Sequence, residues 1–282
     1  MRLLITGSRG LLGAAICREF AGEDVLALDH ATLDITDDDA VRAAVVDARA
    51  DVVINCAAYN DVDGAEDDPV TALSVNAFAV EAIAAAAARA RAVFVHYSSD
   101  FVFDGETERP YTEEDGPNPR SVYAASKLLG DWFALASPRA FVLRVESLFG
   151  RPGPASVRRG SLGTIVDRIQ HAAEVPVFVD RVVSPAYTHD IARATAYLLR
   201  SGAPQGLYHC VNTGHATWLE IAEYIAAVLG KPLHAKPLTL AAANLRARRP
   251  RYCAMASAKL AAAGHLMPTW QEAVQEFLTA NC

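Results

Sequence analysis

Short apolar runs alternate with longer stretches whose apolar residues fall at helical spacing through the first half of the chain. This pattern predicts strands near 2–6, 24–28, 51–56, 92–98 and 140–146, with helices near 11–21, 37–48, 69–90 and 120–136. The runs 51–55 and 92–96 are apolar enough for central strands covered on both faces. Strands alternating with helices indicate βαβ units and a parallel, doubly wound sheet. After residue 150 the pattern changes. The stretch 151–163 is rich in Pro, Gly, Ser and Arg and reads as a loop. Shorter segments follow at 176–179 and 206–211, with helices near 188–200, 217–229 and 270–280.

The first strand runs directly into Gly7-Ser8-Arg9-Gly10-Leu11-Leu12-Gly13 and then into a helix. Gly7 permits a tight turn, Gly10 lets backbone approach a pyrophosphate, and Gly13 lets the helix pack close to the strand. The helix N-terminus offers free N–H groups to phosphate. The spacing carries one residue more after the first glycine than the usual dinucleotide fingerprint. Asp29 closes the second strand, where a carboxylate accepts from ribose hydroxyls and repels a 2′-phosphate. It leans the expectation toward NADH over NADPH, and the neighbouring His30 weakens that lean. A turn-capping role for Asp29 is the competing reading. The expected fold class is therefore α/β: a Rossmann-like doubly wound parallel sheet with a smaller, partly interleaved C-terminal lobe. The dinucleotide domain is expected over 1–150, rejoined by about 182–215. The substrate lobe is expected from 151–181 and 216–282.

The 282 residues, 52% of them hydrophobic, suffice for a large core in one or two domains. A net charge of −7 offers no general basic field for nucleic acid or an anionic membrane surface. The chain opens on a strand rather than a signal peptide. The alanine-rich stretch 79–92 carries Glu81, Arg89 and Arg91 and reads as a core helix too short to span a bilayer. Cys17, Cys56, Cys210, Cys253 and Cys282 lack metal or disulfide spacing, as do the eight histidines. No metal site is expected, and the setting is read as cytoplasmic.

Ligands in an open α/β sheet sit beyond the carboxyl ends of the strands. Ala57 and Ala58 leave room for a cofactor at one such end, and Ser98, Ser99 and Asp100 stand at the next. Tyr123 and Lys127, four residues apart, share one face of a helix. A nearby ammonium favours the phenolate and lowers the phenol's pKa. A serine hydroxyl polarises a carbonyl, and the tyrosine exchanges the proton. The cluster Arg246, Arg248, Arg249 and Arg251 is either a pyrophosphate clamp or a solvated run.

These motifs together resemble the extended short-chain dehydrogenase/reductase superfamily, on Gly7–Gly13, the run 55–59, Tyr97-Ser98-Ser99-Asp100 and the Tyr123/Lys127 pair. More narrowly, the chain resembles the dTDP-4-dehydrorhamnose reductase branch, on the runs 33–37, 60–66, 100–105 and 184–187 and on the tail from Arg249 to Trp270. The resemblance implies hydride transfer from NAD(P)H to the C4 keto group of a nucleotide-linked 6-deoxysugar. Ser99, Tyr123 and Lys127 take the catalytic positions, with Tyr123 as proton donor and Lys127 on the ribose. Gly7, Ser8, Arg9, Gly10, Leu11, Leu12 and Gly13 fall at cofactor positions. So do Asp29, Asp34, Ile35, Cys56, Ala57, Ala58, Tyr59, Asn76 and Ser98. Asn60, Val62, Ser99, Asp100, Phe101, Ser147 and Arg249 fall at substrate positions. Two departures face the sugar. Phe101 stands where the branch has tyrosine, and Ser147 where it has a tryptophan, with Glu146 adding a charge. Phe101 also occupies the place where a dehydratase carries an added acid. A nucleotide-sugar 4-epimerase and a non-catalytic, NAD(P)-binding regulatory subunit are the alternatives. The expected partner is a nucleotide-sugar, with no nucleic acid and no membrane, and a homodimer is the expected assembly.

Overall fold

A computed structural model describes residues 1–153 and 160–280. Five strands of the first half are β1 (Arg2–Thr6), β2 (Asp24–Ala27), β3 (Val52–Asn55), β4 (Val93–Ser99) and β5 (Ala140–Val145). Between them run α1 (Leu11–Glu19), α2 (Asp38–Ala48), α3 (Pro69–Arg89) and α4 (Val122–Leu135). The later chain adds α5 (Gly160–Gln170), β6 (Val175–Phe178), α6 (Thr188–Ser201), β7 (Gly206–His209), α7 (Trp218–Leu229), β8 (Ala235–Leu238) and α8 (Trp270–Thr279).

The main sheet has the order β7-β5-β4-β3-β1-β2, and every pairing in it is parallel. From β1 the chain goes outward to β2, then crosses back to β3 on the other side. The order therefore reverses beside β1, and the crevice at such a switch point is where ligands bind. Both faces are covered. Leu3, Ile5, Ile54 and Val95 point into one core with Ile16, Phe20 and Ile191 from α1 and α6. Leu4, Val53, Phe94 and Val142 point into the other with Val41, Val80 and Ile83 from α2 and α3. Consecutive strand residues thus go to opposite faces, and both faces are apolar, which explains the unbroken apolar runs. A third cluster gathers Leu162, Ile165, Val175, Trp218, Ile221 and Phe277 from α5, β6, α7 and α8.

Helix starts carry local signals. Asp37 accepts from the N–H groups of Asp39 and Ala40 ahead of α2, and Ser121 accepts from Ala124 ahead of α4. Thr217 with Glu220 and Thr269 with Glu272 form capping boxes for α7 and α8.

Two expectations are corrected. The stretch 151–163 is not wholly loop, because α5 begins at Gly160; residues 154–159 lie outside the described residues. Leu162, Ile165, Val166 and Ile169 bury one face of α5 at helical spacing, and the Pro/Gly/Arg composition just before them hid that period. The alanine-rich stretch is also not too short by length to span a bilayer, because it continues a helix that begins at Pro69, as the expected range 69–90 has it. α3 spans 21 residues, long and apolar enough on those criteria alone to cross a bilayer, yet half of it is buried inside this fold. Its middle turn, Ser74–Phe78, is π-helical and turns Asn76 into the protein.

Candidate active site

The glycine turn lies at the switch point. Gly7 takes φ of 63°, and a Cβ there would stand 2.6 Å from the Ala57 nitrogen. A Cβ on Gly13 would run into the Gly7 carbonyl oxygen, so α1 packs directly on the turn. Gly10 is the residue before α1 and supplies no side-chain cap, so the first N–H groups of the helix stay open to a ligand. Thr6 donates to Asn55 across the β1–β3 pair at 2.7 Å, and Asn55 in turn accepts from Ala57 N at 3.1 Å. These bonds fix the two strand ends against each other.

A cavity of about 500 Å³ runs from Gly10 and Leu12 past Ala57 and Ala58 to Ser99 and Tyr123. Ser98 and Ser99 end β4, and Tyr123 and Lys127 lie on the first turns of α4 facing them. All four are buried and line the cavity. Ser99 stands beside Tyr123 in the cavity, and its hydroxyl donates to Asp100 Oδ1 at 2.9 Å. Phe101 packs edge-on against the Tyr123 ring, centroids 5.5 Å apart. Its aromatic face meets the guanidinium of Arg181 at 5.1 Å and that of Arg249 at 5.7 Å.

The electrostatics differ from the expected pairing. Burial pushes the Tyr123 phenol up, and the Asp100 charge adds to this, while Ser99 and the Arg249 guanidinium beside it act in the opposite direction. Lys127 Nζ donates to the Tyr97 carbonyl at 2.7 Å, drawn there by the end of β4. Lys127 itself is lowered to about 8 by burial, offset by Asp131. Asp131 pairs with Arg144 at 3.1 Å beneath the site, both buried. Asp131, four residues after Lys127, lies one turn further along the same buried face of α4.

Several expected residues stand elsewhere. Asp29 accepts from Ala31 N, Thr32 N and Thr32 Oγ1 within its own turn and pairs with Arg9 Nε at 2.6 Å. The turn-capping reading of Asp29 therefore holds, with Arg9 added. Asp34 is taken up by Thr36, and Ile35 lies in the apolar core behind the sheet. Asn76 accepts from Tyr59 N and donates to Tyr59 O and Ser126 Oγ, so it ties loop to helix. The Tyr59 ring packs with Ala65 and Ala72, away from the cavity. Cys56, Asn60 and Val62 line the cavity. Ser147 does too, in a left-handed backbone with φ of 45°. Arg249 stands behind Phe101 with its charge on Asp63 at 2.9 Å. Arg246 pairs with Asp67 and Arg248 with Glu106, each pair exposed at the surface, so the basic run is solvated and tied to acidic loops.

Sequence reading missed Arg181, Trp218 and Ser161, which line the cavity from the later chain. The same three line an adjoining cavity of about 310 Å³ with Arg168, Pro176 and Phe178. The two spaces therefore meet. The only trace in the sequence was the presence of Trp218 at a helix start, which reads equally well as core.

A donor–acceptor set facing a dinucleotide-sized cleft at the switch point of a parallel sheet is the layout of the nucleotide-dependent oxidoreductases of the short-chain type. The comparisons narrow the class. The model of the RmlD substrate binding domain matches residues 1–282, and the chain belongs to that family. It is 37% identical, over 98% of its length and 94% of the relative's, to a probable dTDP-4,6-dihydroxy-2-methyloxan-3-one 4-ketoreductase of Streptomyces antibioticus. It is 36% identical to a dTDP-4-dehydrorhamnose reductase of Streptomyces griseus, covering 100% of this chain and 94% of that one. Among solved structures, a dTDP-4-dehydrorhamnose reductase from Clostridium acetobutylicum superposes with a TM-score of 0.92 at 32% identity, covering 100% and 99% of the two chains. The Bacillus anthracis dTDP-4-dehydrorhamnose reductase, solved in complex with NADP, gives 0.92 at 30% identity and 99% coverage of both.

Proposed function

We propose that the protein reduces the C4 keto group of a dTDP-linked 6-deoxysugar with NAD(P)H, as a dTDP-4-dehydrorhamnose reductase. The convergence of buried Ser99, Tyr123 and Lys127 on one cavity carries the reading. The relatives named for this reaction, similar over nearly the full chain, support it.

The glycine turn and the open N-terminus of α1 fit a pyrophosphate, and the small residues Ala57 and Ala58 leave space beside it. When bound, the reduced nicotinamide supplies the hydride. The Ser99 hydroxyl polarises the keto oxygen, and Tyr123 gives that oxygen its proton. Lys127 holds the ribose and lends positive charge to the side of the cavity where the phenolate is left. The adjoining cavity, with Arg168, Arg181 and the aromatic face of Trp218, suits a nucleoside diphosphate: guanidinium forks for the phosphates and an apolar surface for the base. Arg9 against Asp29 offsets the charge that would repel a 2′-phosphate, so both dinucleotides are usable.

The test is NADPH and NADH consumption with dTDP-4-dehydrorhamnose, with the product sugar identified. Consumption with formation of the C4 alcohol supports the reductase. Interconversion of sugars without net dinucleotide consumption would identify an epimerase. Tight dinucleotide binding with no turnover would favour the regulatory alternative.

A further inference from the structure

Beyond Ser99 and Tyr123, the sugar end of the cavity holds charged groups that the proton transfer does not use. Glu146, directly after β5, is 1% exposed. Its Oε2 accepts from Ser184 N at 2.7 Å, while its Oε1 is buried with no hydrogen-bond partner among the described residues. Glu146, Asp100 and Cys253 each place a polar atom within 4.8 Å of the others. Arg181 Nη2 lies 3.8 Å from Asp100 Oδ2. Glu146, Asp100 and Arg181 line the same cavity as Tyr123.

Two carboxyls and one guanidinium share this buried space. Burial and the neighbouring Asp100 push Glu146 well above the usual carboxylate range, so its neutral form is favoured. A neutral carboxyl can donate as well as accept. An unpaired buried oxygen is costly, and a ligand group that pairs with it removes that cost. With Arg181 already supplying a cation, the fitting ligand group is neutral and polar. Distance sets its place. Ser99 Oγ, assigned to the keto oxygen, is 2.9 Å from Asp100 Oδ1, and a Glu146 carboxylate oxygen lies within 4.8 Å of one of Asp100. A hydroxyl on a carbon close to the ketone is the group within reach of both.

We propose that Glu146, backed by Asp100 and Arg181, determines substrate specificity by hydrogen-bonding a ring hydroxyl at C3, beside the keto carbon, or at C2, one carbon further. This rests on the reductase reading above.

The experiment measures kcat/KM for NADPH oxidation with three dTDP-linked 4-keto-6-deoxysugars: one with both hydroxyls, one lacking that at C2 and one lacking that at C3. Wild type, Glu146→Ala and Glu146→Gln are compared, with NADPH dissociation constants as the check on folding. Wild type should reject one deoxy analogue by about a hundredfold or more, since sites built to pair a hydroxyl discriminate strongly against its loss. In Glu146→Ala that ratio should fall to about threefold or less, through loss on the full substrate, and Glu146→Gln should restore part of it. A merely structural role would lower all three sugars together and leave the ratio standing, which would overturn the proposal. Equal turnover of all three by wild type would overturn it as well. Failure of wild type on every sugar, with NADPH bound, would instead bring down the reductase reading itself.

Discussion

At the scale of single residues, Ser99, Tyr123 and Lys127, to which the proposed reduction assigns the proton transfer, are buried side by side along one cavity. Tyr123 and Lys127 gained meaning from their spacing and from the serine pair, and they line one buried cavity with that pair. Direction of influence was hidden, because Lys127 turns to a backbone carbonyl supplied by another element. With the ammonium lowered to about 8, its charge is full below that pH and lost as pH rises through it. The kcat/KM for keto-sugar reduction should therefore fall as pH rises through about 8, and a Lys127→Ala variant should lack that limb of the profile. A wild-type profile that stays flat there would contradict the assignment. Asp29, at the end of β2 where a ribose contact is expected, also caps its own turn and pairs with Arg9. Arg9→Ala should leave that charge uncompensated and raise the ratio of NADH to NADPH efficiency by about tenfold, the effect of roughly 1.4 kcal/mol. Parallel kinetics with both dinucleotides read this directly.

At the scale of elements, apolar periodicity located the strands and most helices of the parallel sheet, because strands buried on both faces leave little ambiguity. The failures have physical causes. α5 begins inside a stretch whose Pro, Gly and Arg content masked four buried apolar positions at helical spacing. The bounds of α3 follow the expected 69–90, but its π turn, which places Asn76 as a clamp on the 59 loop, leaves no mark in the apolar period. The glycine turn was read from spacing, and the backbone gives its reason: the Gly13 Cα lies against the Gly7 carbonyl. Gly13→Ala should push α1 off the turn. Overpacking of this kind costs about 1–3 kcal/mol. The expected outcome is a lowered thermal midpoint together with weakened dinucleotide binding. An unchanged midpoint and unchanged binding would show that the contact is not needed.

At the scale of the whole molecule, the question is which later residues meet the first-half site. Arg181 and Trp218 are far from Tyr123 in the chain and reach its cavity only because the third apolar cluster holds α5, β6 and α7 together beside the sheet. No spacing rule carries that information. The consequence is a division of labour between the two parts of the cavity. Trp218→Ala should raise KM for the nucleotide-sugar about tenfold, the cost of roughly one lost aromatic contact, while the NADPH dissociation constant stays unchanged. A shift in NADPH affinity instead would place the tryptophan on the dinucleotide side.

The central claim is that Tyr123 donates the proton in a reduction for which the rest of the molecule supplies binding and orientation. Its most direct test is single-turnover NADPH oxidation with dTDP-4-dehydrorhamnose by wild type and Tyr123→Phe, with the affinities for both ligands measured alongside. The account predicts intact binding and a rate lowered by about 10²–10⁴, the usual contribution of a positioned acid. Unchanged turnover in Tyr123→Phe would contradict it.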